Sequence, residues 1–79
     1  MNKSVYLSLM NSGQKGTIQA IDGGERAHAR LLDIGFYEGE TITIIENSFN
    51  GPIIVRLGSA SNKIALGMGL AQKIMVLPA

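Results

Sequence analysis

Glu25 and His28 stand three residues apart, a spacing that places two metal-binding side chains on one face of a helix, so a divalent cation such as zinc or ferrous iron is the first chemistry to consider. Two ligands do not close a site. Structural and catalytic centres need three or four that converge, and nothing else in the sequence obviously joins this pair. The expectation is no resident cofactor, with a weak or adventitious divalent cation the most that Glu25 and His28 would hold. Catalysis has less support still. The single histidine has no identifiable serine or carboxylate partner, and the absence of cysteine removes thiolate nucleophiles, thiolate ligands and disulfides together. Gly67-Met68-Gly69 lacks the following glycine and lysine of phosphate-binding loops and precedes no long helix. The chain is therefore expected not to be an enzyme.

The informative surplus is apolar. Ile45, Ile54, Met75 and Leu77 alternate onto the face opposite the expected core, while Tyr6, Tyr37, Phe49 and Met68 fall in loops or at element ends. A contiguous exposed patch of such residues would mark a protein-binding surface, with Tyr37, Phe49, Ile54, Met68 and Met75 as its candidate contacts. The competing reading is that the helix and the N-terminal segment cover them, or that the domain forms a homo-oligomer through them.

With 79 residues there is room for one domain, spanning 1–79, and for one modest core, so a deep water-excluded pocket is not expected. Net charge is +1, and the seven cations are scattered along the chain with no block of like charge, which gives nucleic acid no electrostatic footprint in the linear sequence. Neither a signal peptide nor a run of roughly 20 apolar residues appears, so no direct membrane insertion is expected, and a reducing cytoplasm fits the cysteine-free composition.

The elements that must position these residues are mostly strands. Ten glycines divide the chain into short segments that alternate apolar and polar residues. Residues 17–21 read as a strand whose apolar Ile21 breaks the alternation, as a bulge or a strand buried on both faces would. Thr41-Ile42-Thr43-Ile44-Ile45 is β-branched throughout and suits a pleated surface. Asn50-Gly51 suggests the positive torsions of a tight hairpin, Pro52 opens the return strand 53–57, a turn over 58–62 leads to 63–66, and 73–77 closes the chain. A single 3₁₀ turn is expected near 68–71. One segment breaks the β rhythm: Ala27, Leu31 and Ile34 form the apolar stripe of a helix over about 24–34. Asp22 with Glu25 suggests a capping box at its start, and Gly35 followed by Phe36 suggests a Schellman stop at its end. Five strands with one inserted helix predict a mainly β fold, a small, partly open barrel.

The residues at the joints resemble the ferrous iron transport protein A family, FeoA, over 7–76. Leu7, Met10, Gly13, Gly16 and Ile18 match its opening, Arg30-Leu31-Leu32-Asp33-Ile34-Gly35-Phe36 with Gly39 matches its helix exit, and Ile64-Ala65-Leu66, Leu70-Ala71 and Ile74-Met75-Val76 match its ending. The sequence departs from that pattern at Asn50-Gly51, where an acidic residue often precedes the proline, and at Gly67-Met68-Gly69, which replaces a more charged stretch. The resemblance implies an SH3-like barrel and a cytosolic accessory of bacterial ferrous iron uptake acting on the FeoB membrane GTPase transporter. The alternative is a metal-sensing SH3-like regulatory domain related to iron-dependent repressors, which would use His28 with carboxylates. A small RNA-binding barrel is disfavoured by the charge balance.

Overall fold

The computed structural model describes residues 3–58 and 62–79. Its strands are β1 (Val5–Tyr6), β2 (Lys15–Ile21), β3 (Thr41–Asn47), β4 (Ile53–Leu57), β5 (Ile64–Leu66) and β6 (Ile74–Pro78), joined by α1 (Glu25–Ile34) and the one-turn α2 (Met68–Ala71), with a 3₁₀ turn at Leu7–Leu9. All pairings are antiparallel, in the order β1-β6-β2-β3-β4-β5. β2 serves both halves, pairing with β3 over Lys15, Gly16 and Thr17 and with β6 from Gly16 to Ile21. Its register shifts between Ile18 and Ala20, and that of β3 shifts between Ile44 and Glu46. Bulges of this kind bend a strand and let a small sheet curl on itself.

Three differences from the sequence expectation concern elements. Among the described residues there are six strands, because the two residues of β1 add to β6 through Val5 opposite Val76 and Tyr6 opposite Met75. The turn at 68–71 is α-helical, with Ala71 N–H donating to Gly67 O and Gln72 N–H to Met68 O, both at 3.0 Å; the 3₁₀ turn lies instead at Leu7–Leu9, where Met10 N–H reaches Leu7 O. The Asp22 cap does not form. Gly24 is the N-cap, without a side-chain hydrogen bond, because Gly23 and Gly24 carry the chain past Asp22's reach. Asp22 is used elsewhere: its N–H donates to Lys73 O, and its carboxylate accepts from the Tyr6 hydroxyl at 3.3 Å. The residues 59–61 of the expected turn over 58–62 lie outside the described residues.

The core takes alternate residues from every long strand: Ile18 from β2, Ile42 and Ile44 from β3, Ile53 and Val55 from β4, Ile74 and Val76 from β6, closed by Leu7, Met10, Leu31 and Phe36. Each fully buried side chain of this size contributes about 1.5–3 kcal/mol relative to exposure. Ala27, Ile64 and Leu70 are half-buried, and Ile34, expected in the core, is 38% exposed. The helix ends at Ile34, and Gly35 turns the chain so that Phe36, not Ile34, is the residue fully buried at this end. Gly16 marks the tightest strand contact. A Cβ there would lie 2.5 Å from Val76 Cγ1 and 2.6 Å from the backbone oxygen of Leu77, so only glycine lets β2 and β6 approach this closely.

Candidate partner-binding surface

The buried polar residue Asn47, 7% exposed at the end of β3, organises one end of the molecule. Its side-chain amide donates to Ser8 O at 3.1 Å and Met10 O at 2.8 Å, its Oδ1 accepts from Phe49 N–H at 3.0 Å, and its own N–H donates to Ser12 Oγ at 3.0 Å. Both amide hydrogens and the amide oxygen are therefore used, and a buried carboxamide in this state is worth its desolvation. Ser8 and Met10 flank Leu9. One side chain thus fastens Leu9, which is 65% exposed, and Phe49, which is 55% exposed, to the same corner.

Phe49 carries the left-handed torsion of this corner, with φ of 67°. The expected positive torsions at Asn50-Gly51 do not occur. The Asn47 side chain mimics a turn two residues on, and it is Phe49, whose N–H donates to that side chain, that is bent over. A bulky side chain in this region is strained by roughly 1–2 kcal/mol, and the result is an aromatic ring held out toward solvent. α2, which carries half-buried Met68, packs against the 3₁₀ turn.

The five expected contact residues do not form one patch. Phe49 belongs to the corner just described, and Met68 lies on α2, which packs against the 3₁₀ turn. Tyr37 follows the helix at the base of the β3–β4 hairpin, the length of β3 away from its tip, about 20 Å. Its hydroxyl is held above the usual 10.0 by Glu40, whose carboxylate accepts from the phenol and repels the phenolate. Met75 lies on the outer face of β6 between Tyr6 and Ala20, and Ile54 on the outer face of β4 between Glu46 and Ala65, both half-buried. Leu9 and Asn47 were the missed members. Leu9 was legible as the residue left over when Leu7 and Met10 face inward, whereas the role of Asn47 depends on contacts 37 and 39 residues away.

Glu25 and His28 are both exposed on α1, and among the described residues no cluster of three or more His, Cys, Asp or Glu is placed to hold a metal. The joint residues sit where a barrel needs them. Gly13 N–H donates to Ile44 O and Gly39 N–H to Ile18 O, tying loops to strands. At the helix exit Gly35 takes φ of 115°, its N–H reaching Leu31 O and Leu32 O, and Phe36 N–H returns to Leu31 O at 2.9 Å, the double closure of a Schellman motif. Arg30 is exposed on α1 and Leu31 is its one fully buried residue. No helix is long and apolar enough to cross a membrane among the described residues.

Comparison with known proteins agrees with this architecture. The FeoA domain profile matches residues 5–78. The chain is 37% identical over 70 residues to the candidate Fe(2+) transport protein A of Methanocaldococcus jannaschii, covering 89% of this chain and 82% of that one. A crystal structure of an iron uptake regulatory protein, FeoA, superposes with a TM-score of 0.89 at 38% identity, covering 98% of this chain and all of the other. The zinc-complexed FeoA of Stenotrophomonas maltophilia, described as a procaryotic SH3 domain protein, shares the fold with a TM-score of 0.72 at 20% identity over 96% of this chain and 88% of its own. The barrel is SH3-like, and the chain belongs to the FeoA domain family.

Proposed function

We propose that this chain is a non-catalytic binding module of ferrous iron uptake that docks on the cytosolic part of a FeoB-type membrane transporter. Family membership and the Fe(2+) transport names of its relatives support the process. The observation that carries the binding role is the Leu9–Phe49 pair, two large apolar side chains kept exposed by a buried asparagine that holds one of them in a strained torsion. Strain of this kind persists where the surrounding structure enforces it, and it gathers at functional sites.

Full burial of two such anchors is worth about 1.5–3 kcal/mol each. A micromolar complex needs about 8 kcal/mol net of the cost of association. Met68 and a polar rim must supply the rest, so the association is reversible and modest in affinity. A module of this kind acts by favouring one conformation of the segment that it grips, by no more than its difference in affinity for the two.

The test is an NMR titration of the labelled domain with the cytosolic part of its transporter, and separately with ferrous iron or zinc. Shifts clustered at Leu9, Asn47, Phe49 and Met68 with the transporter support the reading. Silence there, with stoichiometric shifts around Glu25 and His28 on adding metal, overturns it in favour of a metal sensor.

A further inference from the structure

Cations scattered along the sequence are gathered by strand register. On the outer face of the sheet Lys15 of β2 stands opposite Thr43 of β3, and Thr43 stands opposite Arg56 of β4. Val55 pairs with Ile64, so continuing that register by one residue brings Lys63 beside Arg56. Their neighbours Gly16, Ile42, Ile44, Val55 and Leu57 are buried, which turns Lys15, Thr43 and Arg56 outward. Lys15 and Lys63 are exposed, and Arg56 is half-buried with an Nε that is fully covered yet has no hydrogen-bond partner among the described residues. Five of the six acidic residues lie between positions 22 and 40, in α1 and the segments flanking it; of these Glu40 borders the row on the side away from the hairpin tip, its carboxylate lying against Gly58, two residues along from Arg56. The sixth, Glu46, borders the row toward the hairpin tip, beside Ile54 and with Ala65 beyond.

We infer that this row, Lys15, Arg56 and Lys63, is a docking site for an extended acidic segment of a protein partner. The dimensions fit. Strands are about 4.8 Å apart, so Lys15 to Lys63 spans about 14 Å across three inter-strand steps, and acids at alternate positions i, i+2 and i+4 of an extended peptide span about 13 Å. The Arg56 guanidinium receives a carboxylate through its terminal nitrogens. The apolar row of Ile54 and Ala65 suits small apolar residues beside the acids, and Glu46 confines the acidic positions to the cationic row. RNA is the weaker fit, because single strands need aromatic platforms, and the aromatic residues Tyr6, Phe36, Tyr37 and Phe49 all lie off the outer face of β2–β5. The inference concerns a surface separate from Leu9 and Phe49 and does not depend on the transporter reading.

The experiment titrates the labelled chain with a blocked hexapeptide of alternating glutamate and valine, and separately with its lysine–valine counterpart, oligouridylate, and phosphatidylserine/phosphatidylcholine vesicles, each at low and high salt. Expected are shifts at Lys15, Thr43, Arg56 and Lys63 with the acidic peptide alone, weakened as salt rises. Lys15→Glu or Lys63→Glu, both exposed positions that leave the core untouched, should weaken binding roughly tenfold and Arg56→Gln about fivefold. Absence of shifts at millimolar peptide, equal shifts with the lysine peptide, or tighter binding of oligouridylate or vesicles at this row would overturn the proposal.

Discussion

Among the corners that turn through positive φ, those at Gly35 and Phe49 are built in opposite ways. At Gly35 the residue matches the conformation: glycine takes φ of 115° without a Cβ penalty, and three backbone hydrogen bonds to Leu31 and Leu32 satisfy the helix end. At Phe49 the residue opposes it. An aromatic side chain adopts φ of 67° only because Asn47 accepts its N–H while anchoring the 3₁₀ turn through Ser8 and Met10. The first corner closes the core, since Phe36 directly after it is fully buried, while the second holds its ring in solvent. Stability explains the first and leaves the second unexplained, which is the reason for reading the Asn47 corner as a binding surface.

The comparison breaks most readily at Asn47. Asn47→Ala leaves two carbonyls and one amide without their partner, and is expected to cost about 3 kcal/mol in chemical denaturation. A cost below about 1 kcal/mol would mean that the carboxamide is not the fastening. Gly35→Ala tests the other corner. It should cost about 1–2 kcal/mol, because the added Cβ meets a positive torsion and lies 3.3 Å from Leu57 Cδ1. An unchanged midpoint would show that this corner, too, tolerates a side chain. The smallest effect separates Tyr37 from both. Its raised pKa means that any contribution of the Glu40 contact is present below pH 10.0 and lost as pH climbs through the raised value. Glu40→Gln should return the Tyr37 absorbance titration toward 10.0 while leaving neutral-pH stability nearly unchanged.

What was legible in the sequence was local. The helix over about 24–34, the Gly35 stop and the β-branched run of β3 each declare themselves within a few residues, and each was found where expected, although of the stripe Ala27, Leu31 and Ile34 only Leu31 is fully buried. What was illegible depended on pairing across the chain. β1 is only two residues long and is a strand because β6 passes beside it. Ile34 follows the helical stripe yet is exposed, while Phe36 beyond the helix is buried. Asn47 looks like any turn asparagine until Ser8 and Met10 are brought to it, and the cationic row exists only in register. Asn50-Gly51 carried a strong local turn signal, and it lost because the Asn47 side chain set the turn two residues earlier.

Phe49→Gly tests the central claim most directly, because glycine accepts the corner's torsion freely and removes only the ring. Denaturation and affinity for the transporter's cytosolic part are to be measured on the same preparation. The account predicts stability unchanged or raised by up to about 1 kcal/mol, the relief of strain offsetting glycine's entropy, together with at least a roughly tenfold loss of affinity. Unchanged affinity, or a loss of stability with binding intact, would contradict it and return Phe49 to the packing of the fold.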